Sequence, residues 1–246
     1  MKAYRVHEYG DAAKFIEDEV NKPSAKKGHV VVEVKASSLN PIDHKFLKRD
    51  LGINPALPGI LHMDVAGVIT EVGEGVTAFK TGDEIYGCAG GLQGEAGNIE
   101  GALADFMLAD SNLIALKPKS LSFSESAALP LVTITAWEGL FDRAHIKKED
   151  HVLIHGGAGG VGHIAIQLAR QHGARVATTV SSEDKAKVAR GLGAEDIIFY
   201  RDEKVEDYTQ RLTKGKGFDV VFDTIGADNL DKSLEAAKVS GQVISI

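Results

Sequence analysis

The sequence predicts an α/β protein in two parts. A β-rich domain over residues 1–120 is followed by a doubly wound parallel-sheet domain over residues 121–246. Three observations carry this expectation. Short β-branched runs parted by glycine turns fill the first part. Strand and helix patterns alternate in the second, which gives a parallel sheet with helices on both faces. A glycine loop, GGAGGVG at 156–162, stands between a strand pattern and a helix pattern.

In order along the chain, strands are expected at 30–34, 65–72 and 84–86, with turns at 73–75 and 80–83. A helical stretch over 124–144 is interrupted at Pro130. Strands then follow at 151–155, 175–179, 197–199, 219–223 and 242–246, with helices at 160–172, 183–192, 206–212 and 229–237. Val220, Val221 and Phe222 are apolar in succession, as burial on both faces requires. A doubly wound dinucleotide domain has six strands, and only five are visible, so the last strand is expected to be missing.

Composition narrows the partners. With 43% hydrophobic residues the chain can build a core, yet no run of about 18 apolar residues exists, so no membrane span is expected. The first residues, MKAYRVHEYGDAAKF, lack the apolar core of a signal peptide. A net charge of −7 argues against a nucleic-acid partner, which needs a concentrated basic face. Cys88 is the single cysteine, so no internal disulfide forms; this suits the reducing cytoplasm and excludes a multi-thiolate zinc site within the chain.

In the loop, Gly157, Gly159 and Gly162 fill the three positions of G-x-G-x-x-G. The first is expected to make the tight turn, the second to let backbone approach a pyrophosphate, and the third to let helix pack on strand. With Ala158, Gly160 and Val161 they form the expected cofactor loop, free N–H groups at the helix start facing the phosphates. NAD-binding domains place an acid at the tip of the second strand. Here that tip reads Thr179, Val180, Ser181, Ser182. Hydroxyls of Ser181 and Ser182 with the Lys185 ammonium suit a 2′-phosphate, so NADPH is favoured. Ser182 could equally cap the next helix, and Glu183 or Asp184 could turn inward against a phosphate.

Together with this loop, the segments SSLNPID (37–43), MDVAGVITEVGEGV (63–76), TGDEIYG (81–87), LPLVTITAWEGL (129–140) and LGAEDIIFY (192–200) carry a resemblance. The chain resembles the medium-chain dehydrogenase/reductase superfamily, in its zinc-independent quinone oxidoreductase branch. The resemblance implies a GroES-like catalytic domain, then a Rossmann dinucleotide domain, then a C-terminal return segment that is missing here. The zinc enzymes of the family carry Cys where Asn40 stands and His where Met63 stands. Amide and thioether are poor zinc ligands, so no metal is expected; the rival is an unusual site of His62 or His44 with Asp64.

Without a Lewis acid, the implied chemistry is hydride delivery from NADPH to a quinone or α,β-unsaturated carbonyl. Asn40, matching the branch's N-P-x-D motif, is the first choice for a polar group at nicotinamide or substrate, although it could simply start a turn before Pro41. Asp43 is expected to orient its neighbours, and Lys45 could donate to a carbonyl oxygen or be an exposed lysine. Thr135 and Tyr200 match positions that lie near the cofactor in the branch, and Thr224 ends the fourth strand, where ligands of such sheets collect. Alternatives are a zinc alcohol dehydrogenase, or a non-catalytic NADPH-binding protein with a structural, RNA- or membrane-associated role. The branch often dimerises, so a homodimer is expected.

Overall fold

The computed structural model describes residues 1–94 and 97–246. The chain divides into two compact units, Met1–Leu131 and Val132–Ile246.

The first unit is built from antiparallel strands. β1 (Lys2–Val6) and β2 (Phe15–Glu19) pair, and β1 also pairs with the short β4 (Gly59–Ile60). A five-stranded sheet takes the order β10-β6-β5-β3-β9. Its members are β3 (His29–Ser37), β5 (Asp64–Val72), β6 (Glu84–Cys88), β9 (Phe106–Asp110) and β10 (Ile114–Leu116). β7 (Leu92–Gly94) and β8 (Gly97–Ile99) form a separate hairpin. The β-branched runs form the middle of the sheet because their alternate side chains reach one core, including Val30, Val32, Val65, Ile69 and Ile85. Helix α1 (Pro41–Lys48) packs Phe46 against Val6 and Leu61 in a second cluster. Leu57–Pro58 is a cis peptide bond.

The expected helix over 124–144 is three pieces. α2 (Phe123–Ala127) starts on a Ser122–Glu125 capping box, and α3 (Pro130–Trp137) starts at the proline. The last piece, Glu138–Arg143, is π-helical, which periodicity alone does not reveal.

The second unit is a five-stranded, fully parallel sheet in the order β13-β12-β11-β14-β15. The strands are β11 (His151–His155), β12 (Arg175–Val180), β13 (Asp196–Phe199), β14 (Phe218–Asp223) and β15 (Ala237–Ser245). Between them run α4 (Gly160–His172), α5 (Glu183–Gly191), α6 (Val205–Thr213) and α7 (Leu230–Ala236). The strand order reverses at β11, which opens a crevice at the strand C-termini. β15 begins five residues before its expected start at 242 and meets β14 through a register shift between Phe218 and Val220. The ladder accommodates residues 238–241 there, where Ser240 takes φ +63°.

Phe218 is fully buried among Leu153, Tyr208 and Val221, with His151 edge-on to its ring at 4.7 Å. Phe218→Ala is expected to lower the stability of the second unit by about 3–5 kcal/mol, read from urea denaturation, because the sheet and α6 cannot both move in to fill the void.

Candidate functional site

The loop between β11 and α4 is shaped by what its glycines allow. The left-handed turn is at Gly156, φ +74°, rather than at Gly157 as expected. Gly157 serves close packing instead: a Cβ there would stand 2.0 Å from Thr178 Oγ1. At Gly162 a Cβ would stand 2.3 Å from the Gly156 carbonyl oxygen, so only glycine lets α4 lie against the turn. Gly159 and Gly160 face solvent. The N–H of Gly159 is turned inward to the Gly156 carbonyl at 2.8 Å. Those of Ala158, Gly160, Val161 and Gly162 have no acceptor among the described residues. Four open N–H groups at the start of a 13-residue helix make a cradle for a diphosphate, with the helix dipole behind it. The loop therefore fits the dinucleotide that its sequence implies.

Around it the strand ends are tied together. Thr179 Oγ1 accepts the Gly156 N–H at 3.0 Å and lies 3.2 Å from His155 Nδ1. Thr224 Oγ1 donates to the His155 carbonyl at 2.7 Å, so Thr224 braces the turn, and a Gly156 Cβ would stand 2.9 Å from that hydroxyl. A cavity of about 830 Å³ opens beside this point, lined by His155, Gly156, Thr179, Tyr200, Arg201 and Ile225 among others. His155 and Thr179 were absent from the expected site. Their signal was available, a polar pair ending two neighbouring apolar strands.

Val180 pairs with Phe199, so Ser181 and Tyr200 leave the sheet side by side. Ser182 caps α5, accepting the Lys185 N–H at 3.4 Å. Glu183 does not turn inward; Arg190 holds its carboxylate at 2.6 Å, and Asp184 lies 3.5 Å from Lys187. Lys185 is exposed and has no ion-pair partner among the described residues. Tyr200 is half exposed, with the Arg201 guanidinium 5.6 Å from its ring centre. Thr135 is half-buried on α3, one turn before the π-helical stretch.

In the first unit, Asn40 and Asp43 form a capping box at the start of α1, Asp43 Oδ2 accepting the Asn40 N–H at 2.8 Å. The Asn40 amide donates to Asp64 Oδ2 at 2.9 Å and to Ser38 Oγ at 3.1 Å. Ser38 donates to the same Asp64 oxygen at 2.6 Å, and the Leu131 N–H to the other at 2.9 Å. Asp43 and Asp64 are fully buried and Asn40 is 6% exposed. Burial pushes the Asp64 carboxyl above the usual carboxylate range, against the pull of these donors. Burial likewise pushes His62 down, although Asp43 and Asp64 oppose it; its Nδ1 lies 2.9 Å from Ser37 Oγ and its backbone takes φ +71°.

The structure bears on two of the candidate residues here. Asp43 is fully buried and both its oxygens accept backbone N–H groups, from Asn40 and His62, which is the position of a group that orients neighbours and not of one that reacts. Lys45 is not brought to the cluster, because α1 buries Asp43 and Phe46 and leaves Lys45, like His44, on its exposed side. Among the described residues no group of three or more His, Cys, Asp and Glu side chains could hold a metal ion. None of their helices is long and apolar enough to cross a membrane.

Residues 26–119 match the family model for the alcohol dehydrogenase GroES-like domain, and residues 160–246 that for the zinc-binding dehydrogenase. The chain is 38% identical over 251 residues to 2-methylene-furan-3-one reductase of Solanum lycopersicum, covering 99% of this chain and 61% of that protein. It is 36% identical over 250 residues to the chloroplastic NADPH-dependent alkenal/one oxidoreductase of Arabidopsis thaliana, covering 100% and 62%. The chain thus spans about three-fifths of the length of these two relatives. The structure of Escherichia coli quinone oxidoreductase complexed with NADPH superposes with a TM-score of 0.85 at 30% identity, over 100% of this chain and 72% of that one.

Cys88 pairs across the sheet with Asp64. Burial, then the Asp64 carboxylate, push its thiol up to about 12. It is therefore a thiol, not a thiolate, across the neutral range. The native protein is expected to resist a thiol-titrating disulfide reagent at mildly alkaline pH, while the urea-unfolded chain reacts at once; equal rates in the two states would contradict this.

Proposed function

We propose that this chain, which belongs to the medium-chain dehydrogenase/reductase superfamily and to its quinone oxidoreductase branch, carries the core of a zinc-independent NADPH-dependent reductase. Its first unit is the GroES-like domain and its second the Rossmann domain. The acceptors proposed are quinones and α,β-unsaturated carbonyls, which fit the names of the relatives. The observation that carries the reading is the cradle of four open N–H groups at the start of α4.

The residues proposed to hold the cofactor are Ala158, Gly160, Val161 and Gly162 at the diphosphate, with Gly157 and Gly159 shaping the loop. Ser181, Lys185 and Tyr200 are proposed at the 2′-phosphate. Lys185 is exposed and has no ion-pair partner among the described residues, and the neighbouring Glu183 is paired with Arg190. Thr135 and Thr224 are proposed to border the cofactor. When bound, NADPH supplies the hydride, and the carbonyl of the acceptor stores the charge that results.

In the first unit, Asp64 fixes the amide nitrogen of Asn40, so Asn40 presents one orientation only. Zinc independence rests on donor chemistry: Asn40 and Met63 stand at the ligand positions, and the Asn40 amide is already committed to Ser38 and Asp64. A cytoplasmic homodimer completes the proposal, on the habit of the branch and a single cysteine that suits a reducing compartment.

Calorimetry is expected to show tighter binding of NADPH than of NADH. Lys185→Ala should weaken NADPH about tenfold while leaving NADH within about twofold, the loss of one charge-assisted contact. A preference for NADH in the unaltered protein would refute the cofactor assignment.

In steady-state assays on a panel of quinones and enones, NADPH oxidation is expected, at a rate unchanged by a zinc chelator. Loss of rate with the chelator would restore a zinc dehydrogenase. Binding without turnover on any acceptor would favour a non-catalytic NADPH-binding role.

A further inference from the structure

We propose that His155 is a binding and positioning residue for the adenosine half of the dinucleotide, one face of its ring holding Thr179 and the other keeping a buried N–H for an acceptor that the ligand supplies. This rests on the NADPH reading above and adds a residue that neither the glycine motif nor the strand tip provides.

The Nε2–H tautomer is part of the proposal. Thr179 Oγ1 accepts the Gly156 N–H, and its own proton has His155 Nδ1 within reach at 3.2 Å, which in this arrangement makes Nδ1 the acceptor. Burial pushes the imidazole down to about 4, so the ring is neutral near pH 7, with Asp223 pulling it up and Lys232 pushing it further down. A neutral ring that accepts at Nδ1 carries its proton on Nε2. Nε2 is buried and has no partner among the described residues.

His155 is 3% exposed. An unpartnered donor retained at such a site calls for an explanation, and an absent ligand is a ready one. The residue lines the 830 Å³ cavity together with Thr179 and Tyr200. That cavity runs from the segment after β14, at Ile225 and Gly226, to the tips of β12 and β13, at Thr179 and Tyr200, and the latter is the side of such a sheet on which the adenosine ribose is selected.

Two substitutions separate the two faces of the ring. Asn places an amide where Nδ1 stands and keeps the Thr179 contact; Gln reaches the position of Nε2 and keeps the outer donor. Binding of adenosine 2′,5′-bisphosphate, NADPH, NADH and nicotinamide mononucleotide would be measured by calorimetry, with melting temperatures taken with and without each ligand.

His155→Asn is expected to weaken both adenosine-containing phosphates about tenfold, the loss of one hydrogen bond. His155→Gln should stay within about threefold, and nicotinamide mononucleotide should not distinguish the proteins. The ligand-free melting temperature should be unchanged in His155→Asn while its rise on adding ligand shrinks; a merely structural histidine would lower the ligand-free value instead. Nitrogen NMR of the unaltered protein should show the Nε2–H tautomer, with a resonance that moves on adding adenosine 2′,5′-bisphosphate.

Wild-type affinity in His155→Asn, equal weakening in both variants, an Nδ1–H tautomer or an unmoved resonance would each overturn the proposal alone. Equal binding of NADPH and NADH with the Asn/Gln contrast intact would overturn only the 2′-phosphate reading. Failure of every dinucleotide to bind would overturn both.

Discussion

The second unit depends on a steric permission. Helix α4 lies directly on the turn that ends β11 because positions 157 and 162 carry no side chain. Any Cβ at Gly162 would drive the helix off the Gly156 carbonyl, and one at Gly157 would strike Thr178 from the neighbouring strand. That approach brings the helix N-terminus, with its unpaired N–H groups, to the point where the strand order reverses. The strand ends are then fixed to one another by hydroxyls, Thr179 reaching from β12 and Thr224 from just beyond β14. The turn at Gly156 is held from both sides, so the cradle is shaped before any ligand arrives, which lowers the ordering cost of binding.

The first unit rests on a different economy. Two fully buried carboxylates, Asp43 and Asp64, stand in the same small cluster. Asp43 is balanced by two backbone N–H groups, Asp64 by Ser38, Asn40 and the Leu131 N–H. For Asp64 the balance is incomplete, since burial still raises its pKa. The folded state therefore holds that proton more tightly than the unfolded chain. Stability from this group is greatest below the ordinary carboxylate range and falls as pH rises toward the raised value. The fold carries that cost at neutral pH, and what it obtains is a single orientation for the Asn40 amide.

Much of this was legible in the residues, and the exceptions have physical causes. Alternation of apolar strands with amphipathic helices located the parallel sheet, because burial on both faces leaves a plain signature. The motif spacing located the cradle. It misplaced the turn by one residue, because sequence shows that glycines are present but not which one takes positive φ. The π-helical stretch and the early start of β15 depend on hydrogen-bond register, which hydrophobic pattern does not encode. Lys45 was open between two readings that helix rotation decides, and the two buried residues of α1 decide it. His155 and Thr179 each look ordinary within a single strand; the signal lies in the pair, two polar residues ending neighbouring strands, and the register confirms that they stand side by side.

The tip of β12 shows why the presence or absence of an acid there is a weak guide by itself. Two acids, Glu183 and Asp184, follow Ser182 immediately, and a count of charge would assign the site to a cofactor without a 2′-phosphate. The pairing of those charges fits the proposed 2′-phosphate reading instead. Ser182 is committed as the helix cap, which starts α5 so that Glu183 reaches back along it to Arg190, two turns on. Lys185 is left without an ion-pair partner among the described residues, as is Arg201 beside Tyr200. On the proposed reading, selectivity for a 2′-phosphate depends less on which charges stand at the strand tip than on which of them the following helix has already paired.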